Sequence, residues 1–326
     1  MAAGAIALGL RRVGEPGPSL ALVIIAVVSY AELLAGELGA LLRSPRGYWS
    51  ALGTWRVRLG VFAFSAATSV LAEIAGAAGW RGFSLPLTVT GALTAVLWGA
   101  GVWARRWGGG WLAEGGALWL LGPVSALAAS AALAALAGHG VDWSRPLSAL
   151  QLALLGFGLL AYLILATGLL WRLRLKPPLW TLGPSYWIVA GVPALAAISC
   201  SLAAAASRGV WPGAVAPLTT GGAALLGLAA ALVPLPATLT AQRVRLRRQL
   251  AGHPPEYWSG VFPLAVIGLA CLQVGADRGW LAVVARLALG LATAALIADL
   301  SRAVLSRLLP SGPQPSGQRA GPDGIQ

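Results

Sequence analysis

The sequence predicts an all-α integral membrane protein, a bundle of ten helices paired as five hairpins, with the first helix truncated at its start. Three observations carry this. Hydrophobic residues make up 58% of the chain and charged residues 10%, whereas a soluble domain carries roughly 25% charged residues to cover its surface. Apolar stretches of bilayer-crossing length follow one another along the chain. A short unit of aromatic residues and proline also recurs at the spacing of two such stretches.

In chain order the spans fall near 19–42, 59–79, 85–104, 116–138, 147–171, 185–206, 213–240, 257–275 and 280–301, each close to the ~20 residues that a bilayer demands. The apolar run before them, Ala2 to Leu10, would extend only ~14 Å as a helix, half of a ~30 Å hydrocarbon core. Its charges, Arg11 and Arg12, follow the run, the reverse of a signal peptide. It reads as the second half of a first helix whose beginning is absent from this chain. Residues 1–308 then form one transmembrane domain. Residues 309–326 turn to Pro, Ser, Gly and Gln and read as a disordered tail.

A net charge of +13 also suits a nucleic-acid binder, but the placement of the charges excludes one. Fifteen of the 23 Lys and Arg fall in five clusters: Arg43 to Arg58, Arg105–Arg106, Arg172 to Lys176, Arg243 to Arg248, and Arg302 with Arg307. The alternate loops hold Arg11, Arg12, Arg81, Arg145, Arg208 and Arg278. Strong and weak loops alternate as the positive-inside rule requires. Strongly basic loops and the C-terminus therefore belong in the cytoplasm of a multi-pass protein, facing anionic lipid headgroups.

The recurring unit is Pro184-Ser185-Tyr186-Trp187 with Pro193, then Pro255-Glu256-Tyr257-Trp258 with Pro263, and more weakly Trp119 with Pro123. The three tryptophans stand 68 and 71 residues apart, about two membrane helices with their loops. Pro123, Pro193 and Pro263 each sit about one turn into a helix that follows a basic loop, and Gly122 and Gly191 lie close before two of them. Each proline lacks an N–H and frees the carbonyl four residues back, at Trp119, Val189 and Ser259. Such breaks are tolerated at membrane depth where the backbone lines a cavity or is covered by protein. Repeated in three hairpins, they suggest bent helices ringed around one axis; packing alone is the other reading. Small-residue runs such as Ala126 to Ala137 and Gly221 to Ala231 are explained by close helix packing.

Catalytic chemistry finds no foothold. Glu32, Glu37, Glu73 and Asp299 are scattered, with no paired-aspartate site for magnesium and diphosphate and no zincin or nucleophile-elbow pattern. The cysteines Cys200 and Cys271 lie in apolar segments, and His139 and His253 lie in loops without a ligand cluster, so neither a metal nor a cofactor is expected. Glu73 and Asp299 lie near span ends, where headgroup water is within reach. Glu32 lies mid-span, where a carboxylate costs several kcal/mol unless protonated or paired. Glu32 and Glu73 are thus the candidate coupling acids of a proton-driven carrier. Phe262, before the third proline, reads by periodicity as a core residue, a lipid-facing residue or a plug in a bore.

The segment Pro255-Glu256-Tyr257-Trp258-Ser259-Gly260-Val261-Phe262-Pro263-Leu264 resembles the start of helix nine in the tellurite-resistance/C4-dicarboxylate transporter family, which includes dicarboxylate and sulfite transporters and the plant slow anion channels. Pro184-Ser185-Tyr186-Trp187-Ile188-Val189-Ala190-Gly191 is similar to the family's start of helix seven, and Met1-Ala2-Ala3-Gly4-Ala5-Ile6 to the middle of its helix one. Arg46 to Phe64 resembles its basic loop and Phe-rich third helix. Ala3 and Ala265 depart from the family's usual Thr and Gly. The resemblance implies odd-numbered helices around a central pore, even-numbered helices outside, a homotrimer, and Phe262 in the pore-occluding position. The resulting expectation is a plasma-membrane permease or channel for small anions (C4-dicarboxylate, sulfite, tellurite or halide), not an enzyme, with Phe262 as gate and Pro123, Pro193, Pro263, Gly122 and Gly191 lining the kinks. A proton-coupled carrier of the same fold, and a membrane enzyme or non-transporting subunit, are the alternatives.

Overall fold

The apolar periodicity resolves into helices throughout. The computed structural model describes residues 1–51, 55–105, 116–137, 144–174, 184–247, 258–275 and 278–308. Across them run twelve α-helices: α1 (Ala2–Arg12), α2 (Pro16–Arg43), α3 (Pro45–Ala51), α4 (Trp55–Ala77), α5 (Arg81–Arg105), α6 (Leu121–Ala137), α7 (Ser144–Arg174), α8 (Ile188–Ser207), α9 (Pro212–Leu232), α10 (Pro234–Arg247), α11 (Trp258–Val274) and α12 (Gly279–Leu308). Short 3₁₀ turns, Gly116–Leu120 and Pro184–Trp187, lead into α6 and α8. Among the described residues seven helices are long and apolar enough to cross a membrane, and a shorter apolar helix covers Gly260–Val274. The expected tail at 309–326, the two histidines and the motif residues Pro255, Glu256 and Tyr257 lie outside the described residues.

Local chemistry sets the hairpin turns. After α1, Gly14 takes φ 88°; its N–H donates to the Arg11 carbonyl and that of Glu15 to the Leu10 carbonyl. After α4, Gly79 takes φ 80°, with its N–H on the Gly76 carbonyl and that of Trp80 on the Ala75 carbonyl. Both are Schellman closures, where only glycine adopts the left-handed turn without a Cβ penalty. The return helices α2 and α9 begin with Pro16 and Pro212, which have no N–H to leave unsatisfied in a first turn.

Five hairpins result: α1–α2, α4–α5, α6–α7, α8–α9 and α11–α12. Their first members form a closed ring, α1 against α4, α4 against α6, α6 against α8, α8 against α11, and α11 back against α1. Each second member packs on its own partner and on the next inner helix: α2 on α1 and α4, α5 on α4 and α6, α7 on α6 and α8, α9 on α8 and α11, α12 on α11 and α1. Burial follows: 83% of the apolar window is buried in Ala117–Ala137 and in Ile188–Ser207, against 17% in Pro16–Arg43. Lipid-facing apolar residues therefore belong to the outer helices, as with Leu20, Ile24, Leu160, Leu287 and Leu291.

Small residues let the layers close. Leu289 of α12, 1% exposed, wedges between α1 and α11 where a Cβ on Gly9 or Gly268 would meet it at 2.5 and 2.9 Å. Gly4 of α1 makes room for Val70 and Ile74 of α4. Hydroxyls then tie helix to helix: Ser19 donates to the Ala7 carbonyl at 2.9 Å, Ser65 to the Gly91 carbonyl at 2.8 Å and Ser84 to the Ala72 carbonyl at 3.0 Å. Interhelical hydrogen bonds of this kind contribute about 0.6 kcal/mol each in a bilayer.

The structure refines several expectations. Pro123 is the third residue of α6 and follows directly on the 3₁₀ turn Gly116–Leu120, so it stands about two turns into a continuous helical stretch, closer to its α-helix start than the other two. Pro193 and Pro263 do lie inside their helices, but so do Pro86 and Pro217 of the outer α5 and α9. The expected span at 213–240 corresponds to one apolar span, Pro212–Gln242, in which α9 passes into α10 through Val233, itself in the right-handed helical conformation, ahead of Pro234. Of the run Gly221 to Ala231, only Gly222, Leu226 and Ala229 are buried, because an outer helix offers one stripe to the bundle. In addition, Asp299 is 8% exposed instead of reaching open water, and Arg302 Nη1 lies 3.9 Å from its Oδ1.

Candidate functional site

The inner ring gathers most of the residues singled out from sequence. Gly191 of α8 and Pro263 of α11 meet: a Cβ on Gly191 would lie 2.9 Å from the Pro263 Cβ and 3.2 Å from its Cα. Two of the three proline-bearing inner helices thus touch at Gly191 and Pro263. Gly122 of α6 faces the ring of Phe62 on α4, with 3.7 Å between a Cβ placed there and the ring. Phe262, beside Pro263, is 6% exposed and belongs to the main apolar core. Phe62 is 4% exposed.

The carbonyl that Pro193 frees has found a donor. Tyr162, 3% exposed on the outer helix α7, donates its hydroxyl to the Val189 carbonyl at 3.1 Å. In a medium without water that bond replaces the missing intrahelical one. It was not foreseen, because nothing in the α7 sequence marks Tyr162 as the partner of a break 27 residues on. The aromatic anchor is tied as well. Trp187 donates from Nε1 to Thr240 Oγ1 of α10 at 3.0 Å, and Gly260 of α11 lies against its indole.

The inner helices are poor in free polar groups. Ser199 of α8 lies 2.8 Å from the Leu127 carbonyl and 3.0 Å from that of Leu195, and Ser125 donates to the Gly122 carbonyl at 2.7 Å. Ser201 donates to the Gln273 carbonyl at 3.3 Å. Hydroxyls spent on backbone leave surfaces of Ala, Gly, Val and Leu on these helices. Among the described residues, no group of three His, Cys, Asp or Glu comes together, and Cys200 and Cys271 are buried free thiols.

The two candidate acids are placed differently. Glu32 is exposed on α2, in the outer layer. Glu73 is half-buried on α4. At 100° per residue it lies within ~40° of Phe62 and Ala66, and roughly 140–180° from Phe64 and Thr68. Those last two meet Tyr30 of α2, by ring stacking at 5.4 Å and a hydroxyl contact at 2.9 Å. Glu73 therefore occupies the side of α4 away from α2. Arg12, at the end of α1, acts on it electrostatically.

A family model described as SLAC1, voltage-dependent anion channel, matches residues 1–304. No curated protein matches the chain.

Proposed function

The chain belongs to the SLAC1 family of voltage-dependent anion channels, and from that premise we propose that it is a plasma-membrane permease for small anions of the dicarboxylate, sulfite, tellurite or halide type. The family places it among anion channels and transporters, not enzymes. The observation that supports the finer reading is the closed ring of α1, α4, α6, α8 and α11, helices whose charged residues are Arg11, Arg12, Arg56, Arg58 and Glu73. In this reading anions collect at basic cytoplasmic mouths, an effect that salt screens over ~8–10 Å, and travel along the ring axis. Phe262 obstructs the path. Gly191, without a side chain against Pro263, lets α11 approach α8 closely at the turn that carries Phe262, and movement of that turn carries the ring aside. Residues 1–308 act as one unit, assembled as a homotrimer with its C-terminus in the cytoplasm.

The test is flux in liposomes. Phe262→Ala is expected to raise chloride efflux about tenfold or more, the effect of removing even a ~1.4 kcal/mol barrier; unchanged efflux removes the gate. A proton-coupled carrier is the second reading, favoured only by the inward side on which Glu73 lies. A carrier loses its response to a pH gradient in Glu73→Gln, whereas a channel shows no such response to lose.

A further inference from the structure

The five inner helices, taken as 2–12, 55–77, 121–137, 188–207 and 258–274, contain one carboxylate, Glu73, and four cations, Arg11, Arg12, Arg56 and Arg58. Arg56 and Arg58 stand at the start of α4, while Arg12 ends α1 and Glu73 lies one turn before the end of α4. These helices run in the same direction and touch where Gly4 meets Val70 and Ile74, so Arg12 and Glu73 share one end of the ring. Helical side chains lean toward the N-terminus, which brings an arginine at the tip of α1 back toward the level of Glu73.

The face of Glu73 is set by its neighbours. Val70 and Ile74 fill the side toward α1, Ser65 and Ser69 the side toward Gly91 of α5, and Phe64 and Thr68 the side toward α2. The remaining sector, shared with Phe62 and Ala66, faces α6 and the ring axis. There Phe62 and Ala66 are fully covered while Glu73 keeps accessible surface. A part-accessible carboxylate on the covered side of an inner helix, one turn before the helix ends, faces the mouth of the ring, not lipid.

We propose that Arg12 and Glu73 form a charge pair at the non-cytoplasmic mouth of the ring and set its preference for anions. This rests on the permeation reading above. Glu73 repels an arriving anion; Arg12 offsets that repulsion and supplies attraction. The balance between the two, in a bore otherwise without a carboxylate, decides how readily an anion enters over a cation.

The experiment uses the full chain bearing Phe262→Ala in planar bilayers under a KCl gradient, with the chloride-to-potassium permeability ratio read from the reversal potential. Glu73→Gln is expected to raise that ratio about fivefold, Arg12→Gln to lower it about fivefold (each ~1 kcal/mol), and the double variant to return near the parent. Conducting channels whose ratios do not move in either single variant overturn the proposal. Absence of chloride current in the parent overturns the permeation reading instead. Labelling then decides the charge pair without conduction. Glu73→Cys in liposomes is expected to react with water-soluble methanethiosulfonates, against buried Cys200 and Cys271, and adding Arg12→Gln is expected to slow the anionic reagent about fivefold relative to the cationic one. No reaction, or equal rates, overturns it.

Discussion

Tyr162 shows how one side chain makes a proline tolerable in a membrane helix. Its hydroxyl covers the Val189 carbonyl at 3.1 Å, so Pro193 leaves no bare acceptor at that turn. Tyr162→Phe keeps the ring and removes the bond. It is expected to cost about 1–3 kcal/mol, the penalty for a buried acceptor left unsatisfied, read as a lower midpoint in detergent thermal melts with the ring packing unchanged. An unaltered midpoint would mean that water or another donor reaches Val189. The freed carbonyl could be named from Pro193 alone, because the ring chemistry of proline is local. Its donor could not, since Tyr162 belongs to a different helix and only packing joins them. Glu32 and Glu73 teach the same point. Both are isolated acids in apolar spans, and position along a span does not say which side of the helix faces neighbours. Tyr30, Phe64 and Thr68 supplied that information for α4.

Between elements, the decisive contacts are glycine against a bulky or rigid neighbour. Leu289 can rotate away from an enlarged Gly9, but the pyrrolidine ring of Pro263 cannot yield to an enlarged Gly191. Gly191→Ala is therefore expected to lose about 1–3 kcal/mol from overpacking, separating α8 from α11, with a lower melting midpoint as the readout; a variant as stable as the parent would show that these helices already have slack. Hairpin pairing was legible, because the aromatic–proline unit recurs at the spacing of two membrane helices and strongly and weakly basic loops alternate. Trp119 and Trp187 were legible as anchors, but not as members of 3₁₀ turns. That Pro193 and Pro263 stand deeper in their α-helices than Pro123 depends on where the 3₁₀ turn gives way to α-helix, which a shared motif does not reveal.

Taken whole, the molecule places strongly basic connections at one end of the ring and sparse ones at the other, which yields a topology prediction. A cysteine at Arg208, exposed after α8, is expected to react with a membrane-impermeant maleimide in intact cells. One at Arg43, exposed at the end of α2, is expected to react only after permeabilisation. The reverse pattern would invert the orientation and move the Arg12–Glu73 mouth to the cytoplasm. Assembly of α1 to α12 also explains why so little polar machinery is needed. The ring excludes lipid by small-residue packing, and the outer helices satisfy the boundary with the membrane.

Hydropathy, charge alternation and turn chemistry are properties of neighbouring residues, so by itself the sequence determined an all-helical membrane bundle, the approximate spans and the family resemblance later matched over residues 1–304. The meeting of Gly191 with Pro263, the donor at Tyr162 and the inward side of Glu73 were decided by tertiary structure alone. Each of these joins residues far apart in the chain, and in a bilayer every helix is apolar on nearly all sides. Hydrophobic periodicity therefore cannot say which face turns inward; the fit of small residues against large ones does.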